Sequence, residues 1–312
     1  MDRQHDAAPP ACRADVLCFH SGTAEHPIYV DRVAGIAAAG PRTPAVMVHG
    51  GGHTGACYLA TPDGRPGWAP LFAQTGRTVF VPDWPGHGRS PAGPDFARLG
   101  TRDVCAALLV LLQEIGPAVL VVHSASGPMA WWIAEQRPDL VAGIVALAPG
   151  PPANLLPDLP DDRDAIARLG NDTSVGCPIM APEDRPVWFD AAFAAAFWAN
   201  APRFPKSAMA SYVRGIVPES ARILNERFNI GGRGLRIGDP GKLADTPILV
   251  VTGGQDQRHP RAVDEATARY LGAEFVWLPD RGIDGNGHMT MIEDNSDQIA
   301  ALALDWLAAK GL

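Results

Sequence analysis

Six short, almost uninterrupted apolar runs constrain the fold of this chain more than any other feature. They are Pro44–His49 (PAVMVH), Thr78–Pro82 (TVFVP), Ala118–His123 (AVLVVH), Ala142–Leu147 (AGIVAL), Pro247–Thr252 (PILVVT) and Ala273–Leu278 (AEFVWL). A strand with one wet face alternates apolar and polar residues, whereas a continuous run must be covered on both faces, as in a parallel sheet. Helical stretches such as Arg102–Ile115 and Met129–Gln136 lie between the runs. Alternating strand and helix predicts a doubly wound α/β fold with a mostly parallel central sheet and helices on both faces. Val16–Ser21 and Ile28–Val33 are separated only by the short turn Gly22–Pro27, which predicts an antiparallel hairpin ahead of the parallel part.

The rhythm stops between Gly150 and about Asp245, where no buried strand is found. This stretch opens on prolines (Pro149, Pro151, Pro152, Pro157, Pro160) and continues into an aromatic, helix-like segment, Val187–Asn200. Phe189, Phe193 and Phe197 recur every four residues and so share one helix face. The expected organisation is a first part of the core over 1–149, a helical cap inserted after the sixth strand over 150–245, and the rest of the core over 246–312. The last helix, near Ser296–Lys310, carries Ile299, Leu302, Trp306 and Leu307 at helical spacing and reads as scaffold.

With 46% apolar and 19% charged residues, 312 residues can enclose a large core. A net charge of −8 without a basic run disfavours nucleic acid and anionic membrane as partners. No stretch reaches the roughly 18–20 apolar residues that span a bilayer. The N-terminus shows no apolar signal segment, and Cys12, Cys18, Cys57, Cys105 and Cys177 form neither a CxxC pair nor a zinc-like cluster. The expectation is a reduced, cytoplasmic protein with inert thiols.

The chemistry concentrates at the strand ends. The third of the six runs stops at His123 and is followed by Ser124-Ala125-Ser126-Gly127 and then a helix. A nucleophile on so sharp a strand-to-helix turn is strained and must have small neighbours, which Ser126 and Gly127 supply. Pro128 suits the helix's first turn. The fit to G-x-S-x-G is partial, since Val122 and Ser126 stand at the glycine positions.

Asp256 follows the strand PILVVT, and His288 lies in the glycine-rich loop GIDGNGHM after the last strand. A carboxylate there can fix the tautomer of an imidazole, and that imidazole can take a serine proton and return it to a leaving group. The order Ser124, Asp256, His288 is the one the α/β-hydrolase topology produces. The strand PAVMVH runs into Gly50-Gly51-Gly52, so Gly51 and Ala125 are the expected N–H donors to an oxyanion. The glycines could also cradle phosphate, but no GK[ST] follows them.

These features together resemble the α/β-hydrolase superfamily: HGGG, the turn Asp83–Ser90 (DWPGHGRS), the elbow and the late histidine. Within it the chain is similar to bacterial esterases with an H-S-Q-S-G elbow. The matching blocks here are HSASG (His123–Gly127), TPDGRPGW (Thr61–Trp68) and GNGHM (Gly285–Met289). Three departures stand out. The group's elbow glutamine is Ala125, and the paired cysteines beside the oxyanion loop are Gly51 and Gly52. The group's triad glutamate, in an E-P-G turn, is replaced by Ala148-Pro149-Gly150, so Asp256 takes the role, with Asp284 or Glu293 next in line.

The expected activity is serine hydrolysis of a carboxylic ester or lactone of an uncharged, fairly apolar small molecule, without metal or organic cofactor. Gly52, His53, Trp188, Phe193, Phe197 and Met289 are the expected substrate contacts. Two alternatives stay open: non-hydrolytic chemistry on the same fold, such as acyl transfer, carbon–carbon cleavage or cyclisation, and a degenerate ligand-binding protein. A homodimer is the assembly left open.

Overall fold

The computed structural model describes residues 16–36, 40–170 and 172–312. Cys12 and the rest of the N-terminal segment lie outside the described residues. Eight strands form one sheet: β1 Val16–Gly22, β2 Pro27–Val33, β3 Arg42–Val48, β4 Arg77–Pro82, β5 Ala118–His123, β6 Val141–Leu147, β7 Ile248–Thr252 and β8 Glu274–Trp277. Their order is β1-β2-β4-β3-β5-β6-β7-β8. The β1/β2 and β2/β4 pairs are antiparallel, and every other pair is parallel.

The register explains why the strand runs lack polar breaks. Val46 pairs with Leu120, Leu120 with Ile144, and Ile144 with Ile248. These side chains belong to one apolar cluster, which also holds Val104, Leu108 and Leu111 from the helix Thr101–Ile115. Their strand neighbours Met47, Val119, Val121, Val145 and Leu249 point the other way. There they meet Trp68 and Phe72 of the helix Trp68–Gln74, and Ile299, Ala303 and Leu307 of the helix Ser296–Ala309. The central parallel strands are therefore dry on both faces, whereas the edge strand β1 is largely exposed.

The chain between β6 and β7 contributes no strand to the sheet and builds a small apolar cluster of its own, including Leu159, Ile166, Ala181, Leu224, Phe228 and Ile230. Its aromatic helix is shorter than the sequence suggests, covering Ala191–Phe197 only. Asp190 ends it at the N-terminal side, its Oδ1 accepting from the Phe193 N–H at 2.8 Å. Val187 is instead extended and bridges Glu219 in an antiparallel pair. Phe189, Phe193, Trp198 and Glu219 of this segment line one cleft with Gly51, Ser124 and Arg258, which follow the carboxyl ends of β3, β5 and β7, the edge of an α/β sheet at which sites form.

Candidate active site

Ser124 directly follows β5 and has φ +52°, a left-handed backbone that a serine adopts only at a cost. Its environment holds it there. The Gly150 N–H donates to the Ser124 carbonyl at 2.8 Å, and the Ser126 hydroxyl links the N–H of His123 to the carbonyl of Val48. A Cβ on Gly127 would lie 2.7 Å from the Gly150 oxygen and 2.8 Å from Pro149 Cβ, so the turn needs glycine at that position.

The structure brings the three expected catalytic residues into one chain of hydrogen bonds. His288 Nε2 lies 3.0 Å from Ser124 Oγ, and His288 Nδ1 lies 2.7 Å from Asp256 Oδ2. Since a carboxylate only accepts, Nδ1 carries the proton and Nε2 faces the serine as a base. All three are buried. Burial opposes ionisation of Asp256, but the imidazoles of His288 and His259 and the Arg258 N–H outweigh it, holding the carboxyl well below the usual range. Burial also lowers His288 below the ordinary histidine value, against the opposing pull of Asp256. The other two acids are elsewhere. Asp284 is exposed, and Glu293 accepts from the Gly287 N–H at 2.9 Å and from Asn286 at 2.7 Å. Burial pushes Glu293 up to about 7.

The histidine loop is braced from a distance. Arg65 donates to the carbonyls of Ile292, Glu293 and Asp294, and the Trp68 indole donates to the Ser296 carbonyl at 3.1 Å. Thus the block Thr61–Trp68 fastens the segment that follows His288. The turn Asp83–Ser90 acts similarly behind the glycine loop, with Asp83 accepting from the Gly55 N–H and from Arg89.

Gly51 and Ala125 lie side by side at the cleft floor: a Cβ on Gly51 would be 3.7 Å from that of Ala125. His53 pins this loop. Its Nδ1–H donates to the Gly51 carbonyl at 2.8 Å, and its Nε2 accepts from the Tyr212 hydroxyl at 2.9 Å. Burial brings His53 down to about 4, so it stays neutral. Gly52 has φ +70°, and a side chain there would strike the rings of Trp198 and Phe189.

The cleft above Ser124 measures about 420 Å³. Gly51, Ser124 and Ala125 form its floor, and Phe189, Phe193, Trp198 and Ile223 are among its apolar walls. Five of the expected substrate contacts need correction. Trp188 is 72% exposed, because in the extended segment it points opposite to Val187 and Phe189. Met289 is fully buried in the core cluster. His53 borders a separate cleft with Cys57 and Tyr212, and Phe197 packs behind Phe193 at 4.8 Å between centroids. Gly52 has its N–H engaged by Glu219.

Several lining residues escaped sequence reasoning: Phe189, Trp198, Glu219, Arg227 and Arg258. Only the phenylalanine and the tryptophan carried a signal, as members of the aromatic segment. Glu219 is buried, its oxygens accepting from the N–H groups of Gly52 (3.1 Å) and Ser220 (2.8 Å) and lying 3.2 Å from His87 Nε2.

Among the described residues, Asp256, His259 and His288 are the one group whose donor atoms cluster closely enough for a metal ion. Their atoms have other partners: Asp256 and His288 hold each other, and His259 Nδ1 is 3.1 Å from Asp264. A metal there would compete with the Asp256–His288 contact. No helix among the described residues is long and apolar enough to cross a membrane.

Comparison with known proteins agrees with this architecture. A fungal protein (Fungal sp. strain ATCC 74256) described as a probable secreted lipase, phiG, is 28% identical over 330 aligned positions, covering 85% of this chain and 81% of that protein. The pyrethroid hydrolase of Sphingobium wenxiniae is 32% identical over 130 positions, 38% of this chain and 42% of that enzyme. Among solved structures, the esterase EaEST of Exiguobacterium antarcticum superposes with a TM-score of 0.67 at 15% identity, covering 94% of this chain and all of that one. A thermophilic esterase from Thermogutta terrifontis gives 0.64 at 19% identity, covering 95% and 99%. The model of the alpha/beta hydrolase family matches residues 45–302, and this chain belongs to that family.

Proposed function

We propose that this protein is a serine hydrolase that cleaves a carboxylic ester or lactone through an acyl-enzyme. The observation that carries the reading is the contact of 3.0 Å between a strained, buried Ser124 and an imidazole whose other nitrogen is held by Asp256. The lipase and hydrolase descriptions of the two relatives support it, as does the likeness of the His123–Gly127 elbow to that of the H-S-Q-S-G esterases.

In this mechanism Ser124 Oγ bonds to the substrate carbonyl carbon while its proton passes to His288 Nε2. The negative charge moves to the carbonyl oxygen, where the N–H groups of Gly51 and Ala125 receive it. Asp256 stabilises the imidazolium without taking its proton. The tetrahedral intermediate collapses, the C–O bond breaks, and the alcohol leaves with the proton from His288. With a lactone, that alcohol stays tethered to the acyl group. Water then loses a proton to His288, attacks the acyl carbon, and releases the acid as Ser124 regains its proton.

A fluorophosphonate probe tests this reading. Wild-type protein is expected to label at Ser124 and to turn over p-nitrophenyl or lactone substrates, with labelling lost in His288→Ala. Absence of labelling in the wild type would refute it.

A further inference from the structure

Two arginines share the cleft with the nucleophile. Arg227, from the insertion, and Arg258, two residues past Asp256, both line the space above Gly51, Ser124 and Ala125. Arg258 is only 7% exposed, yet its Nη1 is buried without a hydrogen-bond partner. Among the described residues neither guanidinium forms an ion pair, whereas Arg89, Arg222 and Arg236 each hold a carboxylate. The acids facing the pair are committed elsewhere: Asp256 to His288 and to the backbone N–H of Arg258, and Glu219 to Gly52, Ser220 and His87.

Aromatic faces hold the two guanidiniums without consuming their donors. The Arg258 guanidinium carbon lies 5.7, 5.5 and 5.8 Å from the ring centroids of Phe193, Phe197 and Phe228, and that of Arg227 lies 5.0 Å from Phe228. Burial and then the neighbouring Arg258 charge bring Arg227 down to about 9, so the two cations disfavour each other. An anion between them would relieve that repulsion, and a carboxylate matches the planar donor fork of a guanidinium.

We infer that Arg227 and Arg258 form an anion subsite beside Ser124, and that the preferred ester carries a carboxylate at the end of an apolar body. This revises the uncharged substrate expected from the aromatic segment and the sparse charge, and it rests on the serine-hydrolase reading above. The subsite sets specificity and leaves the acyl-transfer steps unchanged.

The test compares p-nitrophenyl hydrogen glutarate with its neutral isostere, p-nitrophenyl methyl glutarate. A second pair, 4-butanoyloxybenzoate and its methyl ester, puts the carboxylate on the leaving group. In wild-type protein the acid of at least one pair is expected to exceed its neutral partner in kcat/KM by about tenfold or more, chiefly through KM. Arg227→Met and Arg258→Met should each cut that ratio by roughly tenfold, and Arg258→Lys should keep part of it. Melting curves check that each variant is folded, and the ratio is a readout that a merely packing role for the arginines would not move. Turnover with neither acid preferred, or a ratio unchanged in both methionine variants, overturns the subsite alone. Failure to turn over any of the four esters, with no fluorophosphonate labelling of Ser124, overturns the hydrolase reading and the subsite with it.

Discussion

The backbone N–H of Gly52 donates to Oε2 of Glu219 across 3.1 Å, although the two residues are 167 positions apart in the chain. One belongs to the glycine loop after β3 and the other to the insertion that covers the sheet, so the covering segment is fastened to the loop beside the nucleophile. The other carboxylate oxygen lies 3.2 Å from His87. Burial disfavours a charged His87, but Glu219 overrides it and raises His87 above its ordinary value.

Glu219→Ala should therefore cost about 3 kcal/mol of stability, because it removes the carboxylate beside the buried His87 and leaves two buried N–H groups without an acceptor. Urea unfolding measures it. A loss near zero would mean that the carboxylate does not fasten the loop.

Asp256→Asn should lower kcat/KM by roughly 10³–10⁴ while the protein stays folded. The amide can present its N–H₂ group to Nδ1 and favour the wrong tautomer. Steady-state kinetics with a circular dichroism spectrum checks this, and near-normal turnover would send the acid role to another carboxylate.

Much of this was legible in the chain itself. The strands announce themselves because a run such as AVLVVH is covered on both faces and needs no polar break. Ser124, Asp256 and His288 could be nominated because each follows a strand end, where topology alone fixes the neighbourhood. Arg227, Arg258 and Glu219 could not be nominated in that way. Arg227 and Glu219 lie in an insertion whose path over the sheet has no periodic signature, and Arg258 becomes meaningful only when that insertion closes over it. Trp188 misled for a related reason: its aromatic neighbours suggested a continuous helix, but the Asp190 cap leaves it on extended backbone facing water.

The activity profile should carry an ascending limb with its midpoint below about 6.5, the ordinary histidine value. His288 works as a base only when neutral, and burial lowers its pKa, so activity is lost as pH falls through that lowered value. The same shift makes the unfolded chain bind more protons in that window, so His288 contributes stability that declines as the solution is acidified. Measuring kcat/KM from pH 4 to 8 locates the limb. A midpoint clearly above the ordinary value would show Asp256 outweighing burial.

Ser124→Gly should be more stable than Ser124→Ala by roughly 1 kcal/mol, since glycine accepts the positive φ at no steric cost. Both variants should fail to label. Equal melting midpoints would mean that the elbow relaxes once its hydroxyl is gone.

Arg65 never approaches the nucleophile, yet it grips the segment that carries the base. Warming should slacken that grip before the sheet gives way, so the enzyme would fall silent while its secondary structure still reads as native. Inactivation would then precede the loss of helical dichroism by a few degrees, and more so in Arg65→Ala. Curves that coincide in both proteins would mean that imidazole and sheet come apart together, as one cooperative unit.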